Sequence, residues 1–160
     1  MAKNLVAYFS KTGEQYGVGE ITKGNTAIVA EIIADKIGAD VFEIKVVNDD
    51  YPTKYNPLIQ RAKQEKMANL RPELVGRVDN IEQYDNIFIG YPNWWSDMPM
   101  PVYTFLESYD FSGKNVYHFC THEGSGGVKN NGFDLYGHIA QKDRAQAETK
   151  VAEWLDGLKG

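Results

Sequence analysis

The sequence predicts a three-layer, doubly wound α/β fold built on a parallel five-stranded sheet. Three observations carry that expectation. Short apolar runs alternate with longer segments whose apolar residues recur at helical spacing, the pattern of strands that cross over through helices. The first run, Leu5 to Phe9, is apolar at consecutive positions, which suits a strand covered on both faces. The 160 residues hold no repeat, low-complexity tract or linker, so all elements belong to one domain spanning 1–160.

The first strand is Leu5 to Phe9. In the helix that follows, Ile28, Val29, Ile32, Ile33 and Ile37 share a face, and Gly38 stands where a helix C-terminus favours glycine. Val41 to Val46 is the second strand. Asn56-Pro57 reads as an N-cap followed by proline at the first helical position, opening a helix that runs to Ala68. Ile87 to Tyr91 is the third strand, and Pro101 opens a helix carrying Val102, Phe105 and Leu106. Val116 to Cys120 is the fourth strand and Phe133 to Tyr136 a weaker fifth. The last helix carries Ala147, Val151, Trp154, Leu155 and Leu158 on one face, with polar residues opposite.

Only His122 to Gly132, rich in Gly and Asn, separates the fourth strand from the fifth. A crossover with its own helix needs roughly 10–12 residues of usable length. The helix between strands 4 and 5 is therefore expected to be missing. One sheet face would then be thinly covered, exposing apolar surface or inviting a partner; either a homodimer covers the gap or the fifth strand is placed unconventionally.

Composition narrows the function. Hydrophobic residues at 42% and charged residues at 24% are ordinary for a globular chain. A net charge of −5 argues against a nucleic-acid partner and suits docking to basic patches on other proteins. The one cysteine, Cys120, cannot form an intrachain disulfide; a buried thiol at a strand end is its expected role. The N-terminal residues enter the first strand without signal-peptide features, and no apolar run approaches the roughly 20 residues of a membrane helix. A cytoplasmic protein without a membrane partner is expected.

In doubly wound sheets, ligands bind beyond the carboxyl ends of the strands. The segments after Phe9, Tyr91 and Cys120 are therefore the ones to read. The first is Ser10-Lys11-Thr12-Gly13, which reaches a helix only at Gly24-Asn25-Thr26. Hydroxyls, an amide and glycines before a helix N-terminus make an anion cradle, with Lys11 and Lys23 adding positive charge. Asn25 or Thr26 serves equally well as an ordinary helix cap, and both readings stand. Neither Gly-x-Gly-x-x-Gly nor Gly-Lys-Ser/Thr occurs here.

The second segment, Tyr91-Pro92-Asn93-Trp94-Trp95-Ser96-Asp97-Met98-Pro99-Met100-Pro101, holds large aromatics on a proline-restricted backbone, as a flat, partly apolar ligand requires. Adjacent residues point different ways, so one of the two tryptophans is expected to pack into the core. The third, Thr121-His122-Glu123-Gly124-Ser125-Gly126-Gly127, lets backbone approach a ligand and present amides to its heteroatoms. His122 is expected to make an ordinary hydrogen bond rather than act as an acid.

Taken together these segments resemble the flavodoxin family, and more narrowly its flavodoxin-like branch with an expanded phosphate loop. The match rests on Tyr8-Phe9-Ser10-Lys11-Thr12-Gly13-Glu14, Gly24-Asn25-Thr26, Gly90-Tyr91-Pro92-Asn93-Trp94-Trp95, Met98-Pro99-Met100-Pro101 and Phe119 to Gly126. The resemblance implies FMN as cofactor. It implies that Ser10, Thr12, Asn25 and Thr26 hold the phosphate. Pro92, Asn93, Trp94 and Trp95 would flank one side of the isoalloxazine ring, with Thr121, His122, Glu123, Gly124 and Ser125 on the other. The sequence departs from the family pattern where Glu14 to Lys23 interrupt the compact phosphate loop; Tyr16 lies in that insertion and either covers the ligand or lies on the surface.

The resemblance further implies an electron-transfer protein that serves a redox partner protein or a small-molecule acceptor. The chain would supply no catalytic residue and no metal ligand, because the flavin does the chemistry. An NAD(P)H-dependent FMN quinone or nitro reductase on the same fold is the first alternative. A flavin-free interaction module is the second. A phosphate-accepting receiver domain shares the alternation of elements but needs acidic residues after the first strand and an Asp after the third; Ser10 and Pro92 stand there instead.

Overall fold

The computed structural model describes residues 3–15, 18–95, 97–124 and 132–159. Strand β1 (Asn4–Tyr8) leads through an antiparallel hairpin, β2 (Gly13–Gln15) and β3 (Gly19–Ile21), into helix α1 (Asn25–Ile37). Then follow β4 (Asp40–Glu43), α2 (Tyr55–Met67), a 3-10 turn at Ile81–Gln83, β5 (Asn86–Pro92), α3 (Met100–Glu107) and β6 (Asn115–His122). The chain ends through β7 (Phe133–Tyr136), α4 (Gly137–Lys142) and α5 (Arg144–Lys159). The five main strands are all parallel, in the order β4-β1-β5-β6-β7. This is the doubly wound sheet that the alternating pattern predicts.

Side-chain alternation divides the interior into two cores. Val6, Phe88, Phe119 and Leu135 face α1, α4 and α5, where Val29, Ile33, Ala140, Val151 and Leu155 close the layer. Leu5, Ala7, Ile87 and Ile89 face the other way, onto Leu58 of α2 and Val102 and Phe105 of α3. Ile33 and Phe105 are fully buried, and burying such a side chain contributes roughly 1.5–3 kcal/mol.

Helix α1 ends where its periodicity does, with Gly38 at φ 66 donating its N–H to Ala34. Two local expectations are corrected. The second strand ends at Glu43 rather than Val46: the chain leaves the sheet at Ile44, and Val46 bridges antiparallel to Leu74. Helix α2 begins at Tyr55, so Asn56 is not its N-cap. The carboxylate of Glu14, reaching in from the hairpin, accepts the Tyr55 N–H at 2.7 Å and takes the capping role. Pro57 still falls in the first turn, where its missing N–H costs nothing. Two features were not anticipated: α4 forms directly after β7, and the insertion in the first loop carries the paired strands β2 and β3.

No helix joins β6 to β7 among the described residues. The β7 residues on the uncovered face are Asp134 and Tyr136, and both are exposed. Tyr136 is the one large apolar side chain exposed there among the described residues, so the expected apolar area is small. No described helix is long and apolar enough to cross a membrane.

Candidate functional site

Beyond the carboxyl ends of β5 and β6, beside the N-terminus of α1, lies a cavity of about 330 Å³. Pro92, Asn93, Trp94 and Trp95 form one wall and Thr121, His122 and Glu123 another; Asn25 and Gln15 lie toward the first loop. The remaining wall is α2, through Tyr55, Leu58, Ile59 and Ala62.

The two tryptophans part, one turning into the core and the other outward. Trp94 turns inward and meets Phe9 and Tyr51 edge to face, with ring centroids 5.4 and 5.7 Å away. Its backbone exchanges hydrogen bonds with Asp97, closing a tight turn. Trp95, inside that turn, sits at φ 56 and is 41% exposed. A left-handed backbone on a bulky residue costs roughly 1–3 kcal/mol and persists only where its surroundings enforce it. Here the Trp95 indole N–H donates to the Ile59 carbonyl at 2.7 Å, and Lys66 donates to the Trp95 carbonyl at 2.6 Å. Lys63 lies 5.2 Å over the ring.

The third loop is held by two histidine–carboxylate contacts. Gly124 N–H donates to His122 Nδ1 at 2.9 Å, which leaves the ring proton on Nε2 to donate to Asp134 at 2.9 Å. Glu123 receives the ring of His138 at 2.9 Å. Asn93 N–H donates to the Thr121 carbonyl, tying the second loop to the third. Cys120, just before it, is a buried thiol whose pKa burial and the Asp134 charge push up to about 12. Burial likewise raises the Tyr91 hydroxyl, which lies 3.3 Å from His118 Nδ1. Both groups keep their protons at neutral pH.

The first loop divides its expected ligands. Helix α1 is capped by Gly24, which has no side chain to offer. Ser10 Oγ supplies the acceptor instead, receiving Ala27 N–H at 3.1 Å. A Cβ on Gly24 would lie 1.9 Å from Ser10 Oγ and 2.9 Å from the Lys11 carbonyl, so only glycine lets the loop lie against the helix end. Thr26 is 1% exposed, and its hydroxyl is shared with Thr121 at 2.8 Å, bridging the first and third loops. Thr12 is exposed and outside the cavity lining.

Asn25 lines the cavity with its Oδ1 buried and without a hydrogen-bond partner. Its amide group fits beside Gly137, where a Cβ would come within 2.4 Å of Nδ2. A helix N-terminus that favours a phosphate, an orphaned acceptor that suits a hydroxyl or N–H beside it, and aromatic rings at the other end together suit a flat ligand carrying a polar, phosphorylated tail.

Of the thirteen residues singled out from sequence, the structure gathers Asn25, Pro92, Asn93, Trp94, Trp95, Thr121, His122 and Glu123 around the cavity. Ser10 and Thr26 stand behind them, Gly124 supports His122, and Ser125 lies outside the described residues, as do Tyr16, Gly126 and Gly127. Gln15 and the α2 wall were not anticipated. The spacing of Tyr55, Leu58, Ile59 and Ala62 along one helical face was the available signal.

A parallel five-stranded sheet with such a cavity at its strand ends defines the class of flavodoxin-like folds. The chain belongs to the flavodoxin family: a family model described as Flavodoxin matches residues 3–156. It is similar to the crystal structure of an inferred flavoprotein from Bacteroides eggerthii, at 26% identity over 100% of this chain and 99% of that one, TM-score 0.71. A second inferred flavoprotein, from Bacteroides uniformis, shares 28% identity over 97% and 98% of the two chains, TM-score 0.70. A flavoprotein from Lactobacillus acidophilus, crystallised in complex with FMN, shares 23% identity over 98% and 88%, TM-score 0.62, which speaks to the fold. No curated protein matches the chain.

Proposed function

We propose that this protein binds FMN in the cavity and passes electrons through it to a redox partner protein or a small-molecule acceptor. The observation that carries this reading is the single cavity joining the orphaned Asn25 oxygen at the α1 N-terminus to the Trp94–Trp95 wall. FMN supplies the electron chemistry when bound. The chain's own groups bind and orient. The first-turn amides of α1 and the dipole behind them favour a phosphate. Ser10 Oγ already accepts from Ala27, so its hydroxyl proton remains to donate. Asn25 Oδ1 accepts from a ligand hydroxyl or N–H. Trp94, Trp95 and the α2 wall exclude water from a flat ring, and the Asn93–Thr121 hydrogen bond holds the second and third loops together beside it.

The test is the visible spectrum of the purified protein before and after FMN, then NADPH. A bound-flavin spectrum that NADPH leaves unchanged is expected of a carrier awaiting its reductase. Rapid bleaching by NADPH would replace the carrier with an NAD(P)H-dependent reductase. Absence of flavin binding would overturn the reading altogether.

A further inference from the structure

Glu65 is the one buried carboxylate among the described residues, 4% exposed, and it lies outside the cavity lining. Both of its oxygens are taken. Tyr51 donates its hydroxyl to Oε1 at 2.8 Å, and Arg61 donates through Nε to Oε2 at 3.1 Å. Arg61 also donates to Asp50 at 2.8 Å and lies 4.6 Å over the Tyr51 ring. A buried ionic cluster is weak support for a fold, because well-packed apolar side chains in its place are often as stable or more so. What it adds is a fixed geometry, and here the geometry reaches the cavity.

Leu58, Ala62 and Glu65 are the buried residues of α2, spaced i, i+4 and i+7 along one face. Leu58 and Ala62 line the cavity, so Glu65 continues the cavity wall inward. Tyr51 joins that face to the opposite wall. Its hydroxyl meets Glu65, and its ring meets Trp94 edge to face with centroids 5.7 Å apart. Phe9 closes the cluster, 6.3 Å from Tyr51 and 5.4 Å from Trp94. A hydrogen bond of defined length on one end of a rigid ring, and a ring contact on its body, hold α2 and Trp94 at one spacing. We propose that Tyr51 is a positioning residue for the flat ring of the ligand: tied to Glu65, it sets the separation between the α2 wall and Trp94.

The inference rests on the FMN reading, and titration separates the two. The double variant Tyr51→Phe/Glu65→Met removes donor and acceptor together and nearly keeps both volumes, while Arg61 retains Asp50. FMN and lumiflavin, the ring system without the phosphorylated tail, are titrated into the wild type, Tyr51→Phe and the double variant, and each apoprotein is unfolded in urea. The double variant should match or exceed the wild-type urea midpoint, while both flavins bind about tenfold more weakly and by the same factor. Tyr51→Phe, which keeps the ring contacts, should weaken both flavins alike, and the visible dichroism of bound FMN should change shape in both variants. Affinities held within about twofold overturn the proposal. A urea midpoint that falls along with the affinities overturns it as well, making the pair a support of the fold alone. Weakened FMN with unchanged lumiflavin does the same, by moving the effect to the tail. Wild-type protein that binds neither flavin overturns the FMN reading and this inference together.

Discussion

Asn25 holds a buried side-chain oxygen with no partner, and an unmet acceptor in a protein interior costs roughly 1–3 kcal/mol. Groups kept in that state are groups with something to meet, and Asn25 lines the cavity. Asn25→Leu keeps the size and removes the stranded oxygen, so the two consequences have opposite signs. The apoprotein should gain about 1 kcal/mol in urea unfolding, while FMN binding weakens about tenfold. A variant that loses apoprotein stability and keeps FMN affinity would show that Asn25 serves the fold alone. Thr26 presents the contrasting case. Its hydroxyl is already satisfied by Thr121 in the interior, although its residue type is as fit for a phosphate. Hydroxyl and amide side chains cap helices, bridge loops and bind anions by the same hydrogen bonds, so residue type located the first loop but could not divide those roles among Ser10, Thr12, Asn25 and Thr26.

At the scale of elements, the hairpin and α2 depend on one another. Glu14 supplies the acceptor that the α2 N-terminus otherwise lacks, since Lys54 offers no side-chain cap, and its negative charge complements the helix dipole. Glu14→Ala should cost about 1 kcal/mol and speed hydrogen exchange at Tyr55 N–H. Unaltered exchange there would mean that the hairpin merely rests on the helix. This dependence also explains what was legible. The main strands and α1, α3 and α5 are stated by local periodicity, because each buries a face of its own. The hairpin strands are three residues each and mostly polar, Gly-Glu-Gln and Gly-Glu-Ile, and are held from outside by Thr53 and Tyr55. Helix α4 opens on glycine and spans six residues, anchored by buried Ala140. The cavity wall on α2 looks like any apolar helix face until the second loop is seen to anchor on it through Trp95 and leave the cavity between them.

The molecule confines hydroxyl and thiol groups on the α2 and α3 side of the sheet in a way that ties its stability to alkaline pH. Burial raises Tyr51, whose hydroxyl also donates to buried Glu65, and raises Tyr91. Burial and Asp40 push Tyr84 up to about 12, while a hydrogen bond to Asp97, then burial, does the same for Tyr103. Cys120 rises to about 12 through burial first. In the unfolded chain a tyrosine ionises near 10 and a cysteine near 8.5. The native state thus keeps protons that the unfolded state has released. Their contribution is complete below the unfolded values and drains away as pH climbs through the folded ones. The urea midpoint should hold steady up to about pH 8.5 and fall progressively between about pH 9 and 12. Part of the tyrosinate absorbance should be withheld at pH 10 and emerge with the loss of far-ultraviolet dichroism. If all the tyrosines ionise near pH 10 while the dichroism persists, these hydroxyls are open to water and the aromatic packing behind Trp94 is looser than described.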